Sequence, residues 1–364
     1  MFEVLMISES SGQSFNIATY NASNGQSISS FKGGTSLPRT LCQIKNEYII
    51  SAIPNKPVIQ VYEISRKSQQ SKKVALPGII SSLTISNDGV LLAAGINNNV
   101  LVWELSGGIL LSILSSHYQN VTCLSFCHDD SYLATSGDDG IVSVWDVSLI
   151  WDKEASGTGS VEPYHSWTSH TMATTQLKFG LRYRVYSSSL DCSVKVYDIP
   201  SKQIILSIIF NFGVSYFDFT PNEIFLFVGC SNGSLHRVNL LHHCQTAILQ
   251  STDDNERAVI KNAHQKLITS ISCGLDGTSI VTGSEDGQVK FWDIASLQCS
   301  KTMKFSGKIT NLFLTTAITG FSSTLGAQTV VMPFPKLHRQ AISTNNETDS
   351  DLIHCKLMKS EDYD

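Results

Sequence analysis

Charge is scarce in this sequence. Asp, Glu, Lys and Arg together make up 16% of its 364 residues, and the formal net charge is -5. A protein that grips nucleic acid over its whole surface needs a basic excess, which this composition excludes; one local basic patch remains compatible with it. Long apolar runs are missing too. The longest lies near residues 204–212, far short of a bilayer span. The opening MFEVLMISES has no basic stretch before its apolar run, so it reads as a strand and not as a secretion signal. Nine cysteines are present but no CxxC pair, and the odd count fits reduced thiols in the cytosol or nucleus. In that setting the sequons at Asn21, Asn120, Asn232 and Asn346 are chance matches. Neither Cys123 with Cys127, spaced by four on one strand, nor His242-His243 implies further ligands, so no metal or other cofactor is expected. The motifs GxxxxGK[ST], GxSxG and HExxH are absent, so no enzyme class has a motif behind it. The 42% hydrophobic content still supplies ample core.

What is present is a repeat. Residues 117–146 read as three short alternating strands separated by tight polar turns, ending in Trp145-Asp146. Residues 264–293 repeat the pattern, and in both copies His and Trp are 28 residues apart. That length with a Trp-Asp end marks a WD repeat, one four-stranded blade of a β-propeller. Equivalent anchors occur at Tyr20, Tyr62, Trp103, Trp145, Tyr197, Val238 and Trp292. Six residues earlier stand Ser14, Lys56, Asn97, Asp139, Asp191, Asn232 and Asp286, mostly the Asp or Asn that a tight turn favours. The expectation is an all-β, seven-bladed propeller.

Three repeats carry a complete polar set: His117, Thr135, Asp139 and Trp145; His170, Ser187, Asp191 and Tyr197; His264, Thr282, Asp286 and Trp292. The expected roles are His to hydroxyl, His to turn Asp, and hydroxyl to the indole N–H. Such sets imitate a hydrolytic triad, but a hydrolase needs one exposed site and not a copy in each of three sheets. They are therefore read as structural. The acidic pairs 129–130 and 138–139 likewise sit where turns favour Asp.

Strands at 3–8, 14–20 and 27–31, added to one at 309–315, complete a blade and close the ring, with an outer strand near 298–305 before it. Residues 1–316 are thus assigned to the propeller and 317–364 to a C-terminal arm with a disordered end. Inserts at 148–166 and 240–263 exceed what a blade needs. The first, with Trp151 and Pro163, and the arm, with Pro333 and Pro335, are candidate partner-binding segments. Arg66, Lys67, Lys72 and Lys73 form a basic cluster beside the second blade: a solvated strand edge, a weak RNA contact or a nuclear-import signal.

The segments at 101–126, 187–199, 228–240 and 282–314 resemble the WD repeat-containing protein 18 family, including the degenerate VGCSNGSLHRVNL. The likeness runs from about residue 1 to 316. It implies a non-catalytic scaffold subunit in assembly of the large ribosomal subunit (pre-60S), supporting removal of the second internal transcribed spacer. The implied partners are a helical-repeat scaffold subunit, the AAA ATPase Midasin and the pre-60S particle, with ribosomal RNA an indirect contact and no membrane. The implied location is the nucleus, nucleolus and nucleoplasm. Family members commonly continue into a dimer-forming helix, for which 342–364 is too short and polar. A second class stays open: a peptide-reading propeller, such as a ubiquitin-ligase substrate receptor or a chromatin or replication adaptor. A polar or aromatic pocket at the channel mouth favours that reader; a broad apolar side or face favours the scaffold.

Overall fold

The computed structural model describes residues 3–12, 15–45, 47–64, 71–151, 161–241, 248–249, 257–316, 334–338 and 357–358. Short alternating strands cannot bury both faces alone, so they assemble into seven antiparallel sheets arranged as a propeller. Blade 1 combines Glu3–Glu9, Ile17–Asn21 and Ser27–Phe31 with the distant Ile309–Thr316. Blades 2 and 3 run from Cys42–Ile44 to Lys72–Ala75 and from Ile80–Ile85 to Ile109–Leu114. Blade 4 spans Val121–Phe126 to His165–Thr168, and blade 5 spans Thr174–Phe179 to Gln203–Ile209. Blades 6 and 7 span Val214–Phe219 to Arg257–Ile260 and Ile268–Cys273 to Cys299–Lys304. Pairs outside the outer strands of blades 5 and 2 extend those sheets, Ile248–Leu249 in parallel and Leu357–Met358 antiparallel.

The innermost strand is the first of blades 2 to 7 and Ile309–Thr316 in blade 1, and these inner strands touch counterparts in neighbouring blades. Closure is a long antiparallel pairing, from Glu3 opposite Thr316 to Ser8 opposite Asn311, with a bulge at Glu9. Leu5 and Ile7 from the N-terminus and Leu312 from the closing strand share one buried cluster with Val281 and Val289 of blade 7. Glu9, also buried, accepts hydrogen bonds from Ser11 Oγ (2.6 Å) and from the backbone N–H of Gly307 (3.2 Å), tying the entry to blade 1 to the exit from blade 7.

Four expectations need correction. The second strand starts at Ile17: Phe15 and Asn16 precede it, Asn16 drawn into a polar network described below, and Ser14 lies outside the described residues. Cys127 does not share a strand with Cys123: the strand ends at Phe126, and Cys127 opens the turn by donating its N–H to Tyr132. The insert expected from Ser148 starts as a helix, Val147–Trp151, because burying Val147 and Ile150 beside Leu111 and Leu114 outweighs loop composition. The outer strand of blade 7 is Cys299–Lys304, shorter at both ends than expected.

Candidate functional site

The three polar sets come together inside blades 4, 5 and 7. His117 Nε2 lies 2.8 Å from Thr135 Oγ1, which accepts the Trp145 indole N–H at 3.1 Å. On the other side of the ring, His117 Nδ1 is 3.2 Å from Asp139. Blade 7 repeats this with His264 to Thr282 at 2.8 Å, Trp292 to Thr282 at 2.9 Å and His264 to Asp286 at 3.1 Å. In blade 5, Ser187 Oγ lies 2.6 Å from His170 Nε2 and donates to Tyr197 Oη at 3.1 Å, so the phenol stands in the indole's position but as an acceptor. His170 Nδ1 is 2.8 Å from Asp191.

The direction of this chain follows from its donors. An indole N–H can only donate, so the Thr hydroxyl accepts there and donates to His Nε2; the His Nδ1–H then donates to the carboxylate. Burial pushes the pKa of His117 and His264 below the usual value, although the facing carboxylates pull the other way. Burial opposes ionisation of Asp286, yet the backbone N–H groups of Gln288 and Gln265 and the ring of His264 hold its pKa below normal. Asp191 is lower still: against burial, hydrogen bonds from His170 and Ser193 prevail. The hydroxyls of Thr135, Ser187 and Thr282 are fully buried, so none of these sets presents a nucleophile to solvent.

Three further features escaped the sequence reading. The second residue of six inner strands is a hydroxyl: Ser81, Thr122, Thr175, Ser215, Thr269 and Thr310. Several bridge to the next blade, Ser81 to the Val121 carbonyl (2.5 Å), Thr175 to that of Val214 (2.9 Å) and Ser215 to that of Ile268 (2.6 Å). A Ser or Thr recurring at that register was the available signal. Between blades 1 and 2, buried Asn16 donates to Gln60 Oε1 (2.8 Å) and to Tyr62 Oη (2.9 Å) and accepts from Ser36 (2.7 Å). In blade 3, the residue ten before Trp103 is Ala93; the Trp103 indole N–H instead reaches the carbonyl of His338 in the arm, at 2.7 Å.

The central channel is a cavity of about 830 Å³. Arg39, Lys45, Gln176, Lys178, Tyr216 and Asp218 are among its lining residues. Asp218 is already committed: it pairs with Lys178 and accepts the backbone N–H groups of Cys273 and Phe219. Burial pushes the thiol pKa of Cys42 to about 12 and those of Cys127 and Cys230 to about 11, which keeps them protonated. Among the described residues, no group of His, Cys, Asp and Glu is arranged to hold a metal ion, and no helix is long and apolar enough to cross a membrane. His242-His243 lies outside the described residues.

Large apolar side chains instead reach solvent on both faces. The face with the blade-to-blade loops carries Ile79, Tyr118, Met172, Leu190 and Phe212, with Tyr118 86% exposed. The opposite face carries Leu149, Trp151, Tyr164, Leu181 and Tyr183. There Tyr132 packs on Tyr164 (5.7 Å between rings) and Tyr183 (5.8 Å), and Lys202 sits 4.4 Å above Tyr164. Trp151 is therefore presented outward, 44% exposed, and Pro163 half-buried beside this cluster. Part of the arm lies on the propeller itself: Phe334 and Leu337 are buried against it, leaving Pro335 half-buried. Their apolar surface gains more from that cover than from exposure. Lys72 and Lys73 lie on the outer strand of blade 2, while Arg66, Lys67 and Pro333 fall outside the described residues.

Comparison with known proteins matches the family model "WD domain, G-beta repeat" at residues 108–146 and 257–293, the blades with Trp145 and Trp292. WD repeat-containing protein 18 of Danio rerio is 36% identical over 315 residues, 85% of this chain and 72% of its own length. The chain belongs to the WD repeat-containing protein 18 family. Its Homo sapiens relative is 31% identical, again over 85% of this chain and 72% of the relative. The chain is also 27% identical to the pre-rRNA-processing protein pro-1 of Caenorhabditis elegans, over 85% of this chain and 60% of that one. The coverage includes degenerate blades as well as the two with consensus repeats. Within the WD repeat-containing protein 18 family, this chain thus combines a closed ring, internal polar networks and two apolar faces.

Proposed function

We propose that this chain is a non-catalytic scaffold subunit in ribosome assembly, acting on precursors of the large subunit in the nucleus and supporting removal of the second internal transcribed spacer. The observation that carries this reading is the likeness, across 85% of the chain, to relatives of which one is named for pre-rRNA processing. The two apolar faces support it physically. A rigid ring with exposed apolar side chains on opposite sides can hold two proteins at a fixed relative position. The proposed neighbours are a helical-repeat scaffold subunit and a Midasin-type AAA ATPase on the pre-60S particle, with Trp151 and its insert at one contact. RNA contact, where made, falls to local bases such as Lys72 and Lys73 and weakens with salt. The peptide-reader alternative is less favoured, because Asp218, the only carboxylate among the described residues lining the channel, is already paired with Lys178.

Depletion followed by rRNA blotting tests the proposal. Accumulated spacer-2 precursors and reduced large-subunit export are expected, and tagged chain should recover both neighbours. Normal precursor levels together with recovery of neither neighbour would overturn it in favour of a peptide reader.

A further inference from the structure

The arm's docking site carries an inference independent of ribosome assembly. Blade 3 lacks the hydroxyl that receives the indole N–H in blades 4 and 7, since Ala93 stands at that position. Trp103 therefore has a buried ring with a donor directed at the rim where blades 2 and 3 meet. Residues 334–338 fill that rim. Phe334 packs edge-on against Tyr48 at 5.8 Å, and both Phe334 and Leu337 join the hydrophobic cluster of the two blades. The backbone is held at one end, where the Trp103 indole N–H donates to the His338 carbonyl at 2.7 Å and His338 N–H donates to the Gly108 carbonyl at 2.8 Å. Gly108 has φ +71°, and a Cβ there would fall 1.7 Å from the Lys336 carbonyl oxygen. The site thus reads two apolar side chains and a passing backbone, while exposed Lys336 contributes no specificity.

We propose that this rim is a peptide-docking groove for an extended segment with an aromatic residue three positions before a leucine. The chain's own 334–338 occupies it as an exchangeable ligand, and a partner segment of the same chemistry enters when the arm leaves. Exchange follows from magnitudes: burial of two side chains is comparable with the cost of ordering five residues, so the docked and free arms are closely balanced. The ring's strands, each held by a continuous ladder to at least one neighbour, have no such balance. A covalently attached ligand also acts at high effective concentration, so a partner must match its pattern to compete.

The test uses full-length chain and a fluorescent peptide of residues 331–341, read by anisotropy. The peptide should bind the Phe334→Ala/Leu337→Ala chain at least tenfold more tightly than wild type. A peptide carrying the same two alanines should not bind, and adding Gly108→Ala to the receptor should weaken binding at least tenfold. No binding to the double variant, or binding indifferent to Gly108→Ala, would overturn the proposal. Should the double variant fail to fold, ¹⁵N-labelled wild-type chain with excess unlabelled peptide gives the answer. Exchange of the chain's His338 amide should rise at least threefold, and an unchanged rate would overturn the proposal.

Discussion

At the scale of single residues, the hydrogen-bond direction inside the blades makes the turn aspartates more consequential than their exposed neighbours. Asp286 takes bonds from the backbone N–H groups of Gln265 and Gln288 and faces the ring of His264. Removing it leaves buried donors without partners, so Asp286→Ala should cost about 1–3 kcal/mol in chemical denaturation. Asp276, in an exposed turn, makes bonds only within its own turn, and its alanine variant should cost clearly less. An equal loss at both positions would remove the special role of the network. The same network sets a pH dependence. His117 and His264 have lowered pKa values in the fold, so they contribute stability that is fully present above the unfolded-state value of ~6.5 and is lost as pH falls through that window. Asp286 and Asp191, also lowered, add stability present above ~4 and lost only in stronger acid. The melting temperature should thus fall between pH 7.5 and 5.5, and His264→Gln should flatten that decline; a wild-type profile level over this range would contradict the assignment.

At the scale of elements, the ring depends on two devices: the closing pair of strands and the hydroxyl bridges between inner strands. Leu5 is fully buried and Leu312 nearly so, each from opposite ends of the chain. Leu5→Ala should cost about 2–5 kcal/mol, as for other large-to-small core changes. Leu312→Asp, which buries an unpaired charge in the closing blade, should prevent ring closure, seen as rapid amide exchange in Glu3–Glu9. Ser215→Ala removes the donor bridging blade 6 to the Ile268 carbonyl in blade 7; a loss of about 1 kcal/mol is expected in denaturant unfolding. No measurable loss would mean that solvent replaces the bridge.

At the scale of the whole molecule, the proposed scaffold role requires that stability and partner binding be separable. The ring networks lie inside the blades, whereas Trp151, Tyr164 and Tyr183 stand on a face. Replacing residues 152–160 with a short Gly/Ser linker, or Trp151 with Ala, should leave the melting temperature within a few degrees of the parent and reduce recovery of at least one neighbour in pull-downs. Unchanged recovery of every neighbour would assign that contact elsewhere.

The sequence by itself determined the all-β architecture, the count of seven and the internal sets built on Trp145, Tyr197 and Trp292. These rest on local periodicity, tight-turn residues and fixed spacing, all of which a single blade must satisfy within about forty residues. Closure was also legible, because three strands at one end and one at the other leave edges that only each other can cover. The short helix Val147–Trp151 was not, since its Gly/Ser-rich surroundings read as loop and only neighbouring Leu111 and Leu114 make burying Ile150 worthwhile. Nor was the partner of Trp103, which lies 235 residues away in sequence. The Asn16–Gln60–Tyr62 network is equally invisible locally, because two blades must pack before those polar groups meet. Tertiary structure decided these points for one reason: each joins residues that no periodicity relates, through desolvation that exists only once the ring is closed.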